Sequence, residues 1–585
     1  MLRNILRLHR RSAKALRLTS FRPRIEPLED RFAPATLTVT SIKDSGFGTL
    51  RYEVGLAKTG DTINFSTTLN NLSITLASQI QLGLNNVTNL TIDAGAVTVT
   101  VSGNSATRIF EVTAGSHTIN DLTLSLGLVN GTNGGAILVD KGATLNLSND
   151  DFSNNKAPDN NGGAIENDGT LTVNTSTFTT NSADNNGGAI SSNSSGGGGS
   201  GTLTVNNTSF FGGSAINGAG ISTSDNTTLD GDTFGGPLAG QPNVASFLGG
   251  GIYGWGGTKG STRLTVTNSV FTNNKANGTY GGAIATYLVT DIETSTFTNN
   301  IAATYGGAIY YIISNLNDPA TPYDSSLQVN EDTFTSNSSA SGGGAISSAA
   351  NVNSGTITVS VTNSTFYQNT VTGLNAIAGG LNIRQTTSGT GSASANMIND
   401  TFFKNSGATH GGGLAMTLTN TGTGTNNAAL TSLTINQNTA STDSGGLYIA
   451  AAANGVVSIR NSILDGNTVT AQGYNGPIDV TLTNNLALND IGYNLVGTSD
   501  TMFGPKNKDI LNNTTGLASA LAGNGAKAGY PQTLALTATK GNTSPGYETG
   551  DPGLAGQPDP LGKDERGLTR QAGKVSIGAE DPDAM

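Results

Sequence analysis

Two chemistries lie within reach of the side chains this sequence offers: recognition by flat aromatic faces, and cation binding or acid–base work by carboxylates. Tyr310, Tyr311 and Tyr323 fall in one segment, Tyr310–Ser326, together with Asp318 and Asp324. The rings suit sugar faces or partner side chains, and the carboxylate oxygens suit a hard cation such as calcium. Trp255 with Tyr253 is a second aromatic pair, which Gly-rich packing at a turn explains as well as sugar stacking does. Catalysis has fewer candidates. Hydrolysis of a glycosidic bond needs two carboxylates about 5–9.5 Å apart across one ring, and lyase chemistry needs clustered acids and a base. The chain offers Asp150–Asp151 and three histidines, His9, His117 and His410. Asp150 belongs to a structural column described below, and His410 occupies the place held elsewhere by Asn161, Tyr280 and Tyr305, a loop position. The weight falls on binding, with no catalytic residue assigned.

These residues must be positioned by something, and the chain repeats itself. Gly-Gly-Ala-Ile stands at Gly134–Ile137, Gly162–Ile165, Gly187–Ile190, Gly281–Ile284, Gly306–Ile309 and Gly343–Ile346, with looser forms at 379–382, 412–415 and 445–448. A Phe-x-x-Asn motif accompanies it, at Phe271/Asn274, Phe297/Asn300, Phe334/Asn337 and other positions. A period of roughly 25–37 residues means a solenoid in which each unit buries its apolar face only against its neighbours.

The spacing within one unit predicts its path. Leu264 and Val266 alternate with Thr265 and Thr267, as in a strand with one buried face. Phe271 lies five positions after Val266, an odd offset that demands a bend if both are buried. Two positions before each Phe stand Asp150, Ser176, Thr208, Asp232, Ser269, Ser295, Asp332, Ser364 and Asp400. Asp, Ser and Thr share the ability to hydrogen-bond nearby backbone at a turn, whereas a catalytic carboxylate would not alternate with Ser. The Asn three residues after each Phe predicts an Asn ladder, and Gly281 and Gly282 supply turn conformations before the buried Ile284. The fold class expected is therefore all-β: a single-stranded, right-handed parallel β-helix, with three strand segments per coil and about a dozen coils. A short helix over 50–57 caps its start, and an irregular region ends it. Insertions at Ser191–Thr202, Tyr310–Ser326, Arg384–Asn396 and Thr417–Ala429 collect at one corner, making that side the expected ligand face.

Composition agrees. The 585 residues contain 80 Gly, no Cys and 12% charged residues, a mix that disfavours long helices and excludes disulfides and thiolate metal sites. No run of 18 apolar residues spans a membrane as a helix. Residues 1–31 carry nine basic and three acidic side chains, net +6, leaving −17 of the chain's −11 to the rest. An acidic body does not suggest nucleic-acid binding, which needs a basic face, and none is expected. The domains expected are 1–35, a basic leader that is disordered or removed; 36–130, cap and first coils; 131–480, the repeat; and 481–585, the C-terminal coils and tail.

Several segments resemble known families. RIEPLEDRFAPA at 24–35 is similar to the basic leader of planctomycete surface proteins, and Gly46–Phe65 resembles the start of bacterial secreted β-helix (pectin-lyase-like) proteins. The GGAI/FxxN repeats resemble those of chlamydial polymorphic outer-membrane proteins. The C-terminal set IGYNLV (491–496), PQTLAL (531–536), DERG (564–567), Arg570 and IGAE (577–580) resembles a choice-of-anchor Q domain. These resemblances imply a secreted or cell-surface, outer-membrane-associated protein and assign no reaction; the role expected from the residues is non-catalytic, either adhesion to extracellular polysaccharide, matrix or a cell-surface partner, or a structural one. They imply no cofactor, beyond a calcium ion at the acids named above. The alternative is a polysaccharide-active lyase or glycoside hydrolase with an atypical site, since the chain has no Asn-Thr-Asp, Gly-His-Gly or Arg-Ile-Lys set of the polygalacturonase type.

Overall fold

The computed structural model describes residues 34–193, 201–238, 241–256, 261–314, 324–407, 409–452, 455–470, 476–483, 488–498 and short stretches between 508 and 571. One coil shows the plan. Arg263–Thr267 runs in a first sheet, Val270–Thr272 in a second, Lys275–Ala276 in a short fourth ladder and Ile284–Thr286 in a third sheet, before Val289–Glu293 begins the next coil. Among the described residues the leucine–valine sheet has 16 strands, the phenylalanine sheet 16 and the glycine sheet 14. Each strand pairs in parallel with its equivalent one coil on, as in Val266↔Ile292 and Phe271↔Phe297. The result is a parallel β-helix. The short ladder, eight strands long from Lys156–Ala157 to Thr370–Val371 and mostly of two-residue strands, is a fourth segment that the three-strand expectation lacked. Sixteen strands at about 4.8 Å give a rod on the order of 70 Å, longer than a dozen coils would make.

Side chains of the three sheets meet in one continuous core. Phe152, Phe178, Phe210, Phe234, Phe271, Phe297, Phe334, Phe366 and Phe402 stack in register, with centroids 4.6–4.9 Å apart and planes within 10° of parallel. A second column runs Ile252, Ile284, Ile309, Ile346, Leu381 and Leu414. That register corrects the alignment of the looser motifs. Leu381 pairs with Ile346, so 378–381 is the equivalent of GGAI, and Ala378 takes the left-handed place (φ 61°) of Gly343 (φ 62°).

The corners are made by single left-handed residues. Asn149, Thr175, Asn207, Asn268, Thr294, Glu331, Asn363 and Asn399 bend the chain between the first two sheets at φ of 50–61°. This conformation costs a non-Gly residue about 1–2 kcal/mol, and the stack offsets it through hydrogen bonds such as Asn268 N–H to Glu293 O at 3.1 Å. Next to each bend, the capping column forms a ladder between coils. The Asp150 N–H donates to Ser176 Oγ (3.1 Å), Thr208 N–H to Asp232 Oδ1 (2.8 Å), Ser295 N–H to Asp332 Oδ1 (2.6 Å) and Ser364 N–H to Asp400 Oδ1 (2.9 Å). Burial pushes Asp150 up to about 8 and Asp232 to about 7, and holds Asp332 and Asp400 well above the carboxylate range. These acids are inside the wall of the rod and serve its backbone.

The Asn ladder is equally regular. The Asn274 amide donates to Asn300 Oδ1 (3.0 Å), Asn300 to Asn337 (2.9 Å), Asn337 to Asn369 (3.0 Å) and so on to Asn467, whose amide ends on Asp479 Oδ1 (2.7 Å). Where Gly213 replaces the ladder residue after Phe210, Asn243 accepts the Gly213 N–H (2.9 Å) and passes the chain on to Asn274. At Gly281 (φ 66°) a Cβ would lie 2.2 Å from Ile284 O, which explains the glycine column.

The insertions are not all loops. Arg384–Asn396 and Thr417–Ala429 lengthen strands of the glycine sheet from three residues and of the leucine–valine sheet from five to six or seven, as in Leu381–Thr387 and Ser392–Ile398. They do leave from the predicted corner. They form paired sheet there because Ile383, Ala395, Met397 and Met416 continue the buried alternation. At the start, helix Leu50–Leu56, with Thr49 Oγ1 accepting the Tyr52 N–H, lies against the first coils. Parts of the tail return to the phenylalanine side: Asn399 donates to Pro560 O and Lys563 O, and Arg570, 2% exposed, donates to Asn399 Oδ1 at 3.1 Å.

Candidate binding face

Immediately before each glycine turn the chain places one residue on the outside of the glycine sheet. Leu248, Tyr280, Tyr305, Gly342, Ile377 and His410 pair in sequence through single bridges, forming a column up the rod. Beside it run the outward residues of the sheet itself, Tyr253, Ala285, Tyr310, Ser347, Asn382, Ala415 and Tyr448. In the N-terminal coils the column is polar: Asn186 donates to Asn161 Oδ1 (3.0 Å) and Asn217 to Asn186 Oδ1 (2.9 Å). Higher up it becomes aromatic. Tyr253 lies 6.5 Å from Trp255 and edge-on to Tyr287 at 6.2 Å, while Tyr280 stacks on Tyr310 at 4.2 Å and tilts against Tyr305 at 5.8 Å. His410 continues the band, stacked on Tyr448 at 4.5 Å and facing Asp443. Trp255 and most of these tyrosines are half-buried, each with part of its ring in solvent. Burial raises Tyr253 to about 12 and also raises Tyr287 and Tyr310, so the hydroxyls stay neutral hydrogen-bonding groups.

The expected site residues divide. Tyr310 and Tyr311 do not lie in a loop. They belong to strand Ile309–Ser314, where Tyr311 points into the core (0% exposed, hydroxyl to Ser325 Oγ at 2.8 Å) and Tyr310 is covered by Tyr280. Continuing strand pairing through Ile312 and Ile313 to the next coil holds them there. Asp324 is exposed and accepts the Thr356 N–H at 2.7 Å, a bond between coils. Tyr323 and Asp318 lie outside the described residues. The structural set stands as one array: Phe271, Phe297, Phe334, Ile284, Asn274, Asn300 and Asn337 are all fully buried. The residues that sequence reading left in the background are Tyr280, Tyr305, Asn382 and Arg384. Their signal was present, since Tyr280 and Tyr305 share one repeat position, but strand register was needed to put Arg384 beside them.

The acids divide among several settings. Asp150 is a buried cap and Asp151 is exposed. Glu166, pushed up to about 8 by burial, is 1% exposed beneath the Asn133 amide. Asp230 and Glu293 line a shallow recess on the leucine–valine sheet. Hydrogen bonds from Asn268 and Thr267 hold Asp230 below its usual range, which suits an acceptor and not a general acid. His117 is a core residue, its Nε2 2.8 Å from Ala114 O and its pKa lowered by burial. Among the described residues no three His, Asp or Glu are grouped to hold a metal ion, and no helix is long and apolar enough to cross a membrane.

Three stretches, residues 175–193, 294–311 and 333–349, match the Chlamydia polymorphic membrane protein repeat. Each covers the Phe strand, the Asn turn and the glycine turn of one coil, and the first two also its capping corner, so the similarity is to the unit that builds this face. Together they span about a tenth of the chain. Repeats of this kind suggest a surface or outer-membrane protein. No curated protein matches the chain.

Proposed function

We propose that this protein is a secreted, surface-associated and non-catalytic adhesive rod that binds an extracellular polysaccharide or cell-surface partner through the aromatic band of the glycine sheet. The observation that carries the reading is the clustering of Trp255 with Tyr253, Tyr280, Tyr287 and Tyr448 on one side of the rod. Partly exposed rings of this kind offer large contact area at small entropic cost, and neutral hydroxyls at their rims offer hydrogen bonds. The coils bearing the band are about 30 Å tall at 4.8 Å each, a length suited to a chain-like ligand. The band lies beside the corner from which the insertions leave, so Tyr323, Asp318 and Asp324 belong to the proposed contact surface as its neighbouring segment. The C-terminal likeness to a choice-of-anchor Q domain and the similarity to polymorphic membrane protein repeats both support a place at the cell surface.

The test is a glycan array and a cell-adhesion assay on the full chain and on a Tyr253→Ala/Trp255→Ala variant. The reading expects adhesion to fall at least tenfold with the thermal transition little changed. Undiminished adhesion refutes it, and release of shortened oligosaccharides during incubation favours the polysaccharide-active alternative.

A further inference from the structure

The outer column has one gap. Between Tyr305 and Ile377 its residue is Gly342, and beside it lies a cleft of about 250 Å3. Gly342 has no positive φ to require a glycine; a Cβ there would stand 2.9 Å from Asn382 Nδ2 and 3.3 Å from the Tyr305 ring. The glycine therefore lets the Asn382 amide and the Ile377 carbonyl (3.2 Å from that Cβ position) pack close against the backbone at the foot of the cleft. Asn382 and Arg384 form one wall, Tyr305 another, and the backbone of 373–377 a third, with Leu374 almost fully exposed (95%) at the rim.

The polar groups in this cleft are unused. Arg384 lays its guanidinium over Tyr305, 4.7 Å from the ring centroid, and makes no hydrogen bond or ion pair among the described residues. Its Nε is buried without a partner. Asn382 is 1% exposed, and its Oδ1 is likewise buried and unpartnered, while Nδ2 makes only a long contact of 3.4 Å to Ser347 Oγ. Arg108, on the same face, is the contrast: its guanidinium donates to Gly134 O, Gln79 Oε1, Thr132 Oγ1 and Asn133 O. An arginine that stabilises a fold is saturated in this way. An orphaned buried polar atom has a desolvation cost that a ligand can relieve.

We infer that the Gly342 cleft binds one carboxylate-bearing sugar unit, a uronate, within a longer chain lying on the aromatic band. The carboxylate is what the free guanidinium fork matches in geometry and charge. A hydroxyl donor is what Asn382 Oδ1 lacks, so the ligand carries both groups, as an acidic sugar does and a simple carboxylate does not. A cleft of this volume holds about one pyranose ring. Tyr305 is covered by Arg384 on its face, and so acts here as the platform of the cation and not as a stacking surface.

This inference rests on the band being the binding face, and the experiment separates the two. Full-length protein is titrated with a glucuronate oligosaccharide and with its carboxyl-reduced glucose counterpart, using NMR shift perturbation and calorimetry. Arg384→Ala, Arg384→Lys, Gly342→Ala and the Tyr253→Ala/Trp255→Ala double variant are compared. The acidic oligosaccharide should bind at least tenfold more tightly than the reduced one. That preference should vanish in Arg384→Ala, survive in part in Arg384→Lys, and fall in Gly342→Ala, which leaves the charge in place. Equal binding of both sugars, binding of neither, or an acid preference that Arg384→Ala leaves intact overturns the inference. Equal binding that the double variant abolishes would leave the band reading standing alone. An Arg384-dependent preference with no effect of the double variant would overturn the band and keep the cleft.

Discussion

Replacing Asn337 by Leu, which is close in size, tests whether the Asn ladder is a principal support of the rod. Asn337 is fully buried and engaged at four points. Its amide donates to Phe297 O (2.9 Å) and Asn369 Oδ1 (3.0 Å), and its Oδ1 accepts the backbone N–H and side-chain amide of Asn300, both at 2.9 Å. The Leu side chain keeps the packing volume but orphans the Asn300 N–H and one Asn300 amide hydrogen, while the Phe297 carbonyl stays in its parallel ladder with Thr333–Thr335. Asn369 Oδ1 keeps one partner, because the backbone N–H of residue 337 still donates to it (2.9 Å). Each buried orphan costs about 1–3 kcal/mol, so two predict a loss of about 2–6 kcal/mol, the lower half being favoured where water can enter beside the Asn turn. The assay is urea unfolding followed by tryptophan fluorescence, with native-state hydrogen exchange to localise the effect, since coils of a solenoid need not unfold together. Exchange should accelerate at the Asn300 and Asn337 turns before it does at Asn155. A loss under about 1 kcal/mol, or acceleration spread evenly along the rod, would refute the ladder as a cooperative support.

Phe297→Ala should cost about 3–5 kcal/mol, because it removes a fully buried ring held between two stacked neighbours; a smaller loss in urea unfolding would mean the column collapses around the gap. Stability should fall as pH rises. Asp150 (about 8), Asp232 (about 7), Asp332 and Asp400 are held above their unfolded value of 3.8 by burial. The folded chain therefore binds more protons than the unfolded one between about pH 4 and 8, and each such group removes up to about 1.4 kcal/mol per pH unit across that window. Thermal midpoints measured from pH 4.5 to 8.5 should decline, and Asp332→Asn should flatten the slope; a midpoint rising with pH contradicts the assignment. Replacing 315–323 by a short Gly/Ser linker, which spares the buried Tyr310 and Tyr311, should leave the thermal transition nearly unchanged and reduce adhesion severalfold. Full adhesion in that variant would exclude Tyr323 and Asp318 from the contact surface.

Much of the architecture was legible because a solenoid writes its geometry in sequence period. The offset of five from Val266 to Phe271 implied a corner, and Asp, Ser and Thr at one spacing implied capping, since only local backbone interactions were needed to read them. The αL residues of that corner were harder to read. Thr294 and Glu331 adopt it against their own preference, and only hydrogen bonds from neighbouring coils make it stable. The looser motifs misled by one residue, because Gly379 and Gly380 look like the Gly pair while strand register assigns that role to Ala378 and Gly379. Tyr310 and Tyr311 misled for a related reason: a Tyr-rich stretch before polar residues reads as a loop, and only pairing with the next coil makes it a strand.

The sequence by itself determined the repeat, the Phe and Asn columns and the class of fold, because these depend on spacing within one coil and on the same residue recurring. The tertiary structure alone decided which residues meet on the proposed binding face. Tyr305, Gly342, Asn382 and Arg384 come from three successive coils and 80 residues of chain, and no local pattern relates them. Stacking brings them within one cleft, since a step of about 4.8 Å between coils turns a distance of some 35 residues along the chain into a single side-chain contact.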